Sequence, residues 1–281
     1  MIDLCELLYA RGLPTGERLT KLVRHQSSKW DIESLVSHGQ FELYQSNQGR
    51  PVFNCKYLVS FIGEKHSLAR LFGVYRVKGV SEGTGALLPW PSGYLYPHMP
   101  PGRLWYDLEK LQGFTDLEQR VVIDWGASPR MWHQWLKPRK VVEILPQGYV
   151  REFPGYDEVL LTHQELREMV AHPAANREWH RALGSVAGIY LITDLSDGRQ
   201  YVGSAYGAGG ILSRWKSYAR TGHGGNRLLR DLLTRNPKAA TAFQFSILRA
   251  VPTSLTKNEV FDNETLCKKK LGSRAHGLNA N

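Results

Sequence analysis

Three phenols, a guanidinium and a carboxylate, at Tyr190, Tyr201, Arg214, Tyr218 and Glu264, are a set able to move protons and to steady developing negative charge, as phosphodiester hydrolysis would require. That reaction needs an activated water, a cation where negative charge develops at phosphorus, and help for the departing oxygen. A free phenol has a pKa of about 10, so about one in a thousand is ionised at neutral pH. A tyrosine used as a base therefore needs a cation beside it. Arg214 can supply one: it precedes Tyr218 by four residues in the amphipathic stretch Ile211 to Arg220, an interval that puts both on one helical face.

The carboxylates after residue 175 are Glu178, Asp194, Asp197, Asp231, Glu259, Asp262 and Glu264. Asp194 and Asp197 belong to turn chemistry, so a two-metal cluster that needs several convergent carboxylates is poorly supplied. A single Mg²⁺ is better matched, because it takes one or two protein carboxylates together with water and substrate phosphate. Thr256-Lys-Asn-Glu259 has the spacing of a capping box, which gives Glu259 a structural task. Glu264 lies about 140° further round the helix and is the expected ligand for Mg²⁺, or for Mn²⁺ in its place.

These residues need elements to carry them. Ala187 to Thr193 and Arg199 to Ser204, joined by Asp194-Leu-Ser-Asp-Gly198, read as a β-hairpin that brings Tyr190 and Tyr201 near each other. His223-Gly-Gly-Asn226 leads into a second helical run, Arg227 to Arg235, with Asn226 as its expected N-cap. Gly207-Ala-Gly-Gly210 lacks the Lys-Ser or Lys-Thr of a nucleotide-binding loop and reads as a flexible turn.

Gly188-Ile-Tyr190, Tyr201-Val-Gly203, Arg214-Trp-Lys216, Phe245-Ser-Ile-Leu248, the helical Glu264 and Gly277-Leu-Asn279 together resemble the GIY-YIG nuclease superfamily, most closely its phage homing-endonuclease branch. The resemblance covers residues 187 to 281, roughly a third of the chain. It implies a small antiparallel three-stranded sheet flanked by helices. It also implies Tyr201 as general base, Tyr190 as an orienting hydrogen bonder, Arg214 as the transition-state cation and Asn279 as a residue closing the site. It agrees with Glu264 as the metal ligand, although Cys267 stands where the family has an aromatic residue. Tyr218 falls where homing enzymes often carry histidine and repair-type members tyrosine, so the base stays open between Tyr201 and Tyr218. Lys216, Arg220, His223, Arg227 and Lys268 are the expected DNA contacts.

Residues 176–281 hold 16 Lys and Arg against 7 Asp and Glu, whereas residues 1–175 hold 20 against 19. A segregated excess of +9 suits a phosphate backbone. The expected organisation is α/β (α+β): a larger mixed N-terminal domain over 1–175, a linker over 176–186 and the nuclease domain over 187–281. Helices are expected over Ile2 to Ala10, Glu17 to His25, Trp30 to Ser37 and Gln164 to Ala171. Strands are expected over Tyr57 to Ile62, Leu71 to Val77, Arg120 to Trp125 and Lys140 to Leu145.

Seven of the eight tryptophans precede residue 181. Core packing is the simpler account of them. The sharper one is that Trp90, Tyr94, Tyr96, Trp105, Trp125, Trp132 and Trp135 include walls of a pocket for an unstacked base. Cys5, Cys55 and Cys267 show no metal-binding or disulfide spacing. No run approaches the length of a membrane span and the N-terminus lacks signal-peptide order, so a cytoplasmic location is expected.

The functional expectation is a Mg²⁺-dependent endonuclease acting on double-stranded, possibly modified DNA, in restriction or phage defence, with an N-terminal specificity domain. A double-strand break would take a homodimer or sequential nicking. The alternatives are a structure-specific repair nuclease and a non-cleaving DNA-binding regulator.

Overall fold

The computed structural model describes residues 2–83, 90–127 and 131–280 of the chain. The chain forms two compact units, Met1–Pro146 and Gln147–Asn281. The division falls at Pro146/Gln147 rather than near residue 175, and the expected linker over 176–186 is largely a helix of the second unit. This boundary changes the charge account. The first unit holds 18 Lys and Arg against 14 Asp and Glu and the second 18 against 12, so the nets are +4 and +6. The second unit's basic excess is confined to its later part, because Glu152, Asp157, Glu158, Glu165 and Glu168 precede residue 176.

The first unit contains α1 (Leu4–Ala10), β1 (Thr20–His25), α2 (Ile32–Ser37), α3 (Phe41–Ser46), β2 (Asn47–Gln48), β3 (Tyr57–Gly63), β4 (Leu68–Glu82), β5 (Leu104–Lys110), β6 (Val121–Asp124), β7 (His133–Trp135) and β8 (Val141–Ile144). Its sheet runs β2-β5-β4-β3-β1-β7, with β6 pairing both β4 and β8. The expected helix over Glu17 to His25 is instead β1, parallel to β3 and antiparallel to β7. All six β1 residues are buried. Lys21 donates to Val52 O (2.7 Å) and Asn54 Oδ1 (2.6 Å), and Arg24 donates to Glu64 O (2.9 Å) and Leu68 O (3.2 Å). Carbonyl acceptors thus let two cations lie inside a strand, where a burial pattern drawn from polarity alone would put them in solvent.

Aromatic side chains of this unit pack against one another. Trp90 stacks on Tyr94 with ring centroids 4.2 Å apart, meets Trp105 edge-on, and donates its indole N–H to Met99 O (2.6 Å). Trp125 is buried against Phe61. Trp90 and Tyr94 are therefore core, whereas Trp125, though buried, lines with Trp135 and His133 an open cavity of about 440 Å³. Thr84–Pro89 of the expected aromatic loop, and Ser128–Arg130, lie outside the described residues.

The second unit contains β9 (Leu160–Thr162), α4 (His163–Ala171), α5 (Arg177–Ser185), β10 (Ala187–Asp194), β11 (Gln200–Ala205), α6 (Gly210–Thr221), α7 (Arg227–Arg235), β12 (Phe243–Val251) and α8 (Lys257–Leu271). Its antiparallel sheet has four strands in the order β11-β10-β12-β9, not three. The additional strand, β9, pairs with β12 through Leu160 to Thr162. Alternation along the strands makes three layers. Tyr190, Ile192, Tyr201 and Phe245 face a core shared with Trp179 and Leu183 of α5 and Trp215 and Tyr218 of α6. Ala187, Ile189, Val202 and Val251 face Val260 of α8.

Candidate active site

The β10–β11 hairpin forms with Tyr190 opposite Gly203 and Ile192 opposite Tyr201. Gly203 has to be glycine: a Cβ there would lie 2.4 Å from the Tyr190 hydroxyl, which crosses directly over it. Within α6, Arg214 and Tyr218 share the face turned to the sheet, as their interval demands. Arg214 Nε donates to the Tyr190 hydroxyl (3.1 Å), Nη1 to Gly224 O (2.7 Å) and Nη2 to the Tyr218 hydroxyl (3.4 Å). The two hydroxyls are 3.1 Å apart. The guanidinium carbon also lies 5.1 Å from the Tyr218 ring centroid, within cation–π range. Tyr201 completes the group, its ring centroid 6.4 Å from that of Tyr218.

Asn226 is a member of this group that sequence reasoning missed. It stands at the N-cap position of α7, but its side chain makes no capping bond. Instead Nδ2 donates to the Tyr218 hydroxyl at 2.7 Å. The capping expectation placed it correctly in the chain but gave it the wrong partner, since nothing local in sequence signals a bond to a residue on the preceding helix. Gly224 helps fix the arrangement: at φ +55° its absent Cβ would meet the Tyr218 ring at 2.5 Å.

Burial governs the electrostatics. It raises the phenols of both Tyr190 and Tyr218; the charge of Tyr201 adds to each shift and Arg214 opposes each, while the bond between the two hydroxyls lowers Tyr190 and raises Tyr218. Burial also works against the Arg214 cation, but the neighbouring tyrosine oxygens outweigh it and hold the guanidinium above its ordinary range. Tyr190 and Tyr218 are 0% exposed and Tyr201 is 7% exposed, so Tyr201 is the least enclosed of the three.

Glu264 lies on the other face of the hairpin. Ser204, two residues after Val202 on the side covered by α8, donates to one of its carboxylate oxygens, and Lys268 Nζ pairs with the other at 2.6 Å. Tyr190, Tyr201, Arg214 and Tyr218 are therefore brought together, whereas Glu264 reaches the same strand from the α8 side. The meeting line of the two sets is β11, which is the edge strand of the sheet. Asn279 closes that edge: it accepts from Val202 N (2.9 Å) and donates to Val202 O (2.8 Å), replacing a missing neighbour strand.

Among the described residues no group of three or more His, Cys, Asp or Glu could share a metal ion. The donor set at Glu264 is one partly exposed carboxylate with a serine hydroxyl on one oxygen. That chemistry fits an oxygen-preferring ion which keeps most of its water, as Mg²⁺ does, provided Lys268 yields its place.

The expected DNA contacts divide. Lys216, Arg220 and Arg227 are exposed, and His223 is half-buried with its Nδ1 accepting from Gly225 N (2.9 Å). Lys268 is not a surface contact: it is 3% exposed and paired with Glu264, leaving Lys269 and Lys270 as the exposed part of that run.

No protein-family model matches the chain, and no curated protein matches it. Among solved structures it is similar to the catalytic domain of the intron endonuclease I-TevI in a point-mutant form, at 25% identity over 34% of this chain and 94% of that one, with a TM-score of 0.28. A second structure of the homing endonuclease I-TevI catalytic domain gives 24% identity, 34% and 98% coverage and a TM-score of 0.27.

Proposed function

We propose that the chain is a Mg²⁺-dependent DNA endonuclease of GIY-YIG type whose C-terminal unit hydrolyses phosphodiester bonds. The observation that carries this reading is the Arg214–Tyr190–Tyr218 hydrogen-bonded set beside Tyr201, at an edge strand whose opposite face holds Glu264. In this reading the scissile phosphate lies over the edge of β11. Arg214 faces the charge that develops at phosphorus, in a setting where its cation is permanent. Tyr201 takes the proton of the attacking water, directly or through a second water, and Tyr190 orients it. Tyr218 is the alternative base, but its complete enclosure and raised phenol favour Tyr201. Glu264 would hold Mg²⁺, or Mn²⁺ in its place, after Lys268 turns away. When bound, such an ion supplies Lewis-acid stabilisation of the phosphate and leaving oxygen. Asn279 keeps β11 in register. Lys216, Arg220, His223 and Arg227 receive the DNA backbone.

In this reading the first unit chooses the target, and the role proposed for the protein is restriction or phage defence in the cytoplasm, with modified DNA among its substrates. A homodimer or two successive nicks would complete a double-strand break. The Lys268–Glu264 pair favours one competing reading, a DNA-binding regulator that does not cleave, because an internal ammonium already neutralises the carboxylate.

Incubating the full chain and Mg²⁺ with unmodified, methylated and hypermodified phage DNAs separates the two. The nuclease reading expects nicks in at least one DNA that disappear with EDTA. DNA binding with no cleavage of any DNA, in Mg²⁺ or Mn²⁺, would leave the regulator.

A further inference from the structure

Two large aromatic side chains stand exposed beside Glu264. Tyr206 is 43% and Phe261 40% exposed, their ring centroids are 5.5 Å apart and their planes meet at 88°. Lys257 Nζ lies 5.6 Å from the first centroid and 5.3 Å from the second. Exposed apolar residues scattered singly need no explanation, but a contacting pair with a cation over both rings is a different object. Its position is set by two elements. On α8, Lys257, Phe261, Glu264 and Lys268 follow one another at intervals of four, three and four, so they form one stripe along the helix. On the strand side, Tyr206 follows Ser204 by two residues, and Ser204 is the residue bonded to Glu264. A two-residue step is roughly 7 Å of extended chain, about two base-steps of a nucleic acid strand at 3.4 Å each.

We infer that Tyr206, Phe261 and Lys257 form a stacking platform for an unpaired nucleobase of a DNA strand, with the ammonium receiving the adjoining phosphate. Rings at right angles cover only one face of one of them, and the exposed fractions leave π-surface for a base. Stacking on such rings accepts any base, so the platform would read strand separation rather than sequence. The unit's basic excess after residue 176 supplies the matching charge for the strand. The inference deepens the nuclease reading, on which it rests for its place beside a scissile phosphate. It would have the substrate frayed or single-stranded at the cut. Stacking itself does not depend on cleavage.

The test is binding of a short single-stranded oligonucleotide carrying 2-aminopurine to the full chain in EDTA, followed by fluorescence. The unsubstituted chain is expected to bind and quench. The double variant Tyr206→Leu, Phe261→Leu keeps apolar bulk without π-faces; it should bind about 5- to 100-fold more weakly with less quenching, at an unchanged salt slope and thermal midpoint. Lys257→Gln should keep the quenching and lower the salt slope by about 0.7. Equal affinity and quenching in the double variant, or no binding by the unsubstituted chain, would overturn the platform. Aromatic-dependent quenching by a chain that cuts none of the DNAs above would instead keep the platform and remove the nuclease reading.

Discussion

Tyr218 is hydrogen-bonded to Arg214, Asn226 and Tyr190 and still holds its proton, because complete burial, with the neighbouring phenols of Tyr190 and Tyr201, outweighs the Arg214 cation. A testable pH dependence follows. In the unfolded chain each tyrosine ionises near pH 10, while Tyr190 and Tyr218 in the folded chain hold their protons beyond it. Above about pH 10 the unfolded state binds fewer protons than the folded one, so this contribution to stability is complete below pH 10 and is lost as pH rises through the folded values. Absorbance titration of the 13 tyrosines should show a late class containing two more groups than in the Tyr190→Phe, Tyr218→Phe variant. An unchanged late class in that variant would contradict the burial argument. Arg214 and Tyr218 are legible in the sequence, because their four-residue interval is a helical rule. The bonds of Asn226 and Ser204 are not, because their partners are 8 and 60 residues away.

The elements were legible where one period or one cap governs them. The hairpin turn, the faces of α6 and the separation of Glu259 from Glu264 all follow from local rules, and Thr256 with Glu259 does make the reciprocal capping box. Strand β1 departs from the helix expected there because its buried Lys21 and Arg24 find acceptors on distant segments. Strand β9 leaves no mark in the sequence because three residues carry too little periodicity. Its consequence is an enlarged C-terminal unit. Trp179 and Leu183 of α5 and Leu161, Leu166 and Met169 before them are buried in the same core as Tyr190 and Tyr218. A fragment of residues 147–281 should therefore unfold cooperatively on heating. One beginning at residue 187 lacks β9, α4 and α5 and should show no sharp transition. Cooperative unfolding of the shorter fragment at the same midpoint would show that these elements do not support the site.

At the scale of the whole molecule, mixed α+β architecture was readable, and no helix among the described residues is long and apolar enough to cross a membrane. Net charge separates the two parts less than a boundary at 175 implies: that boundary gives nets of +1 and +9, and the folded boundary +4 and +6. What distinguishes the C-terminal unit is arrangement, with phenols and a guanidinium on one face of an edge strand and a lone carboxylate on the other. In the proposed mechanism both faces act on one phosphate. Glu264→Ala tests this most directly in the full chain, by measuring Mg²⁺-dependent nicking and metal-free DNA binding side by side. Loss of nicking by about 100-fold or more, the scale of removing one electrostatic stabiliser of a transition state, with binding kept within about threefold, is the expected result. Nicking that survives the substitution at the unsubstituted rate would contradict it.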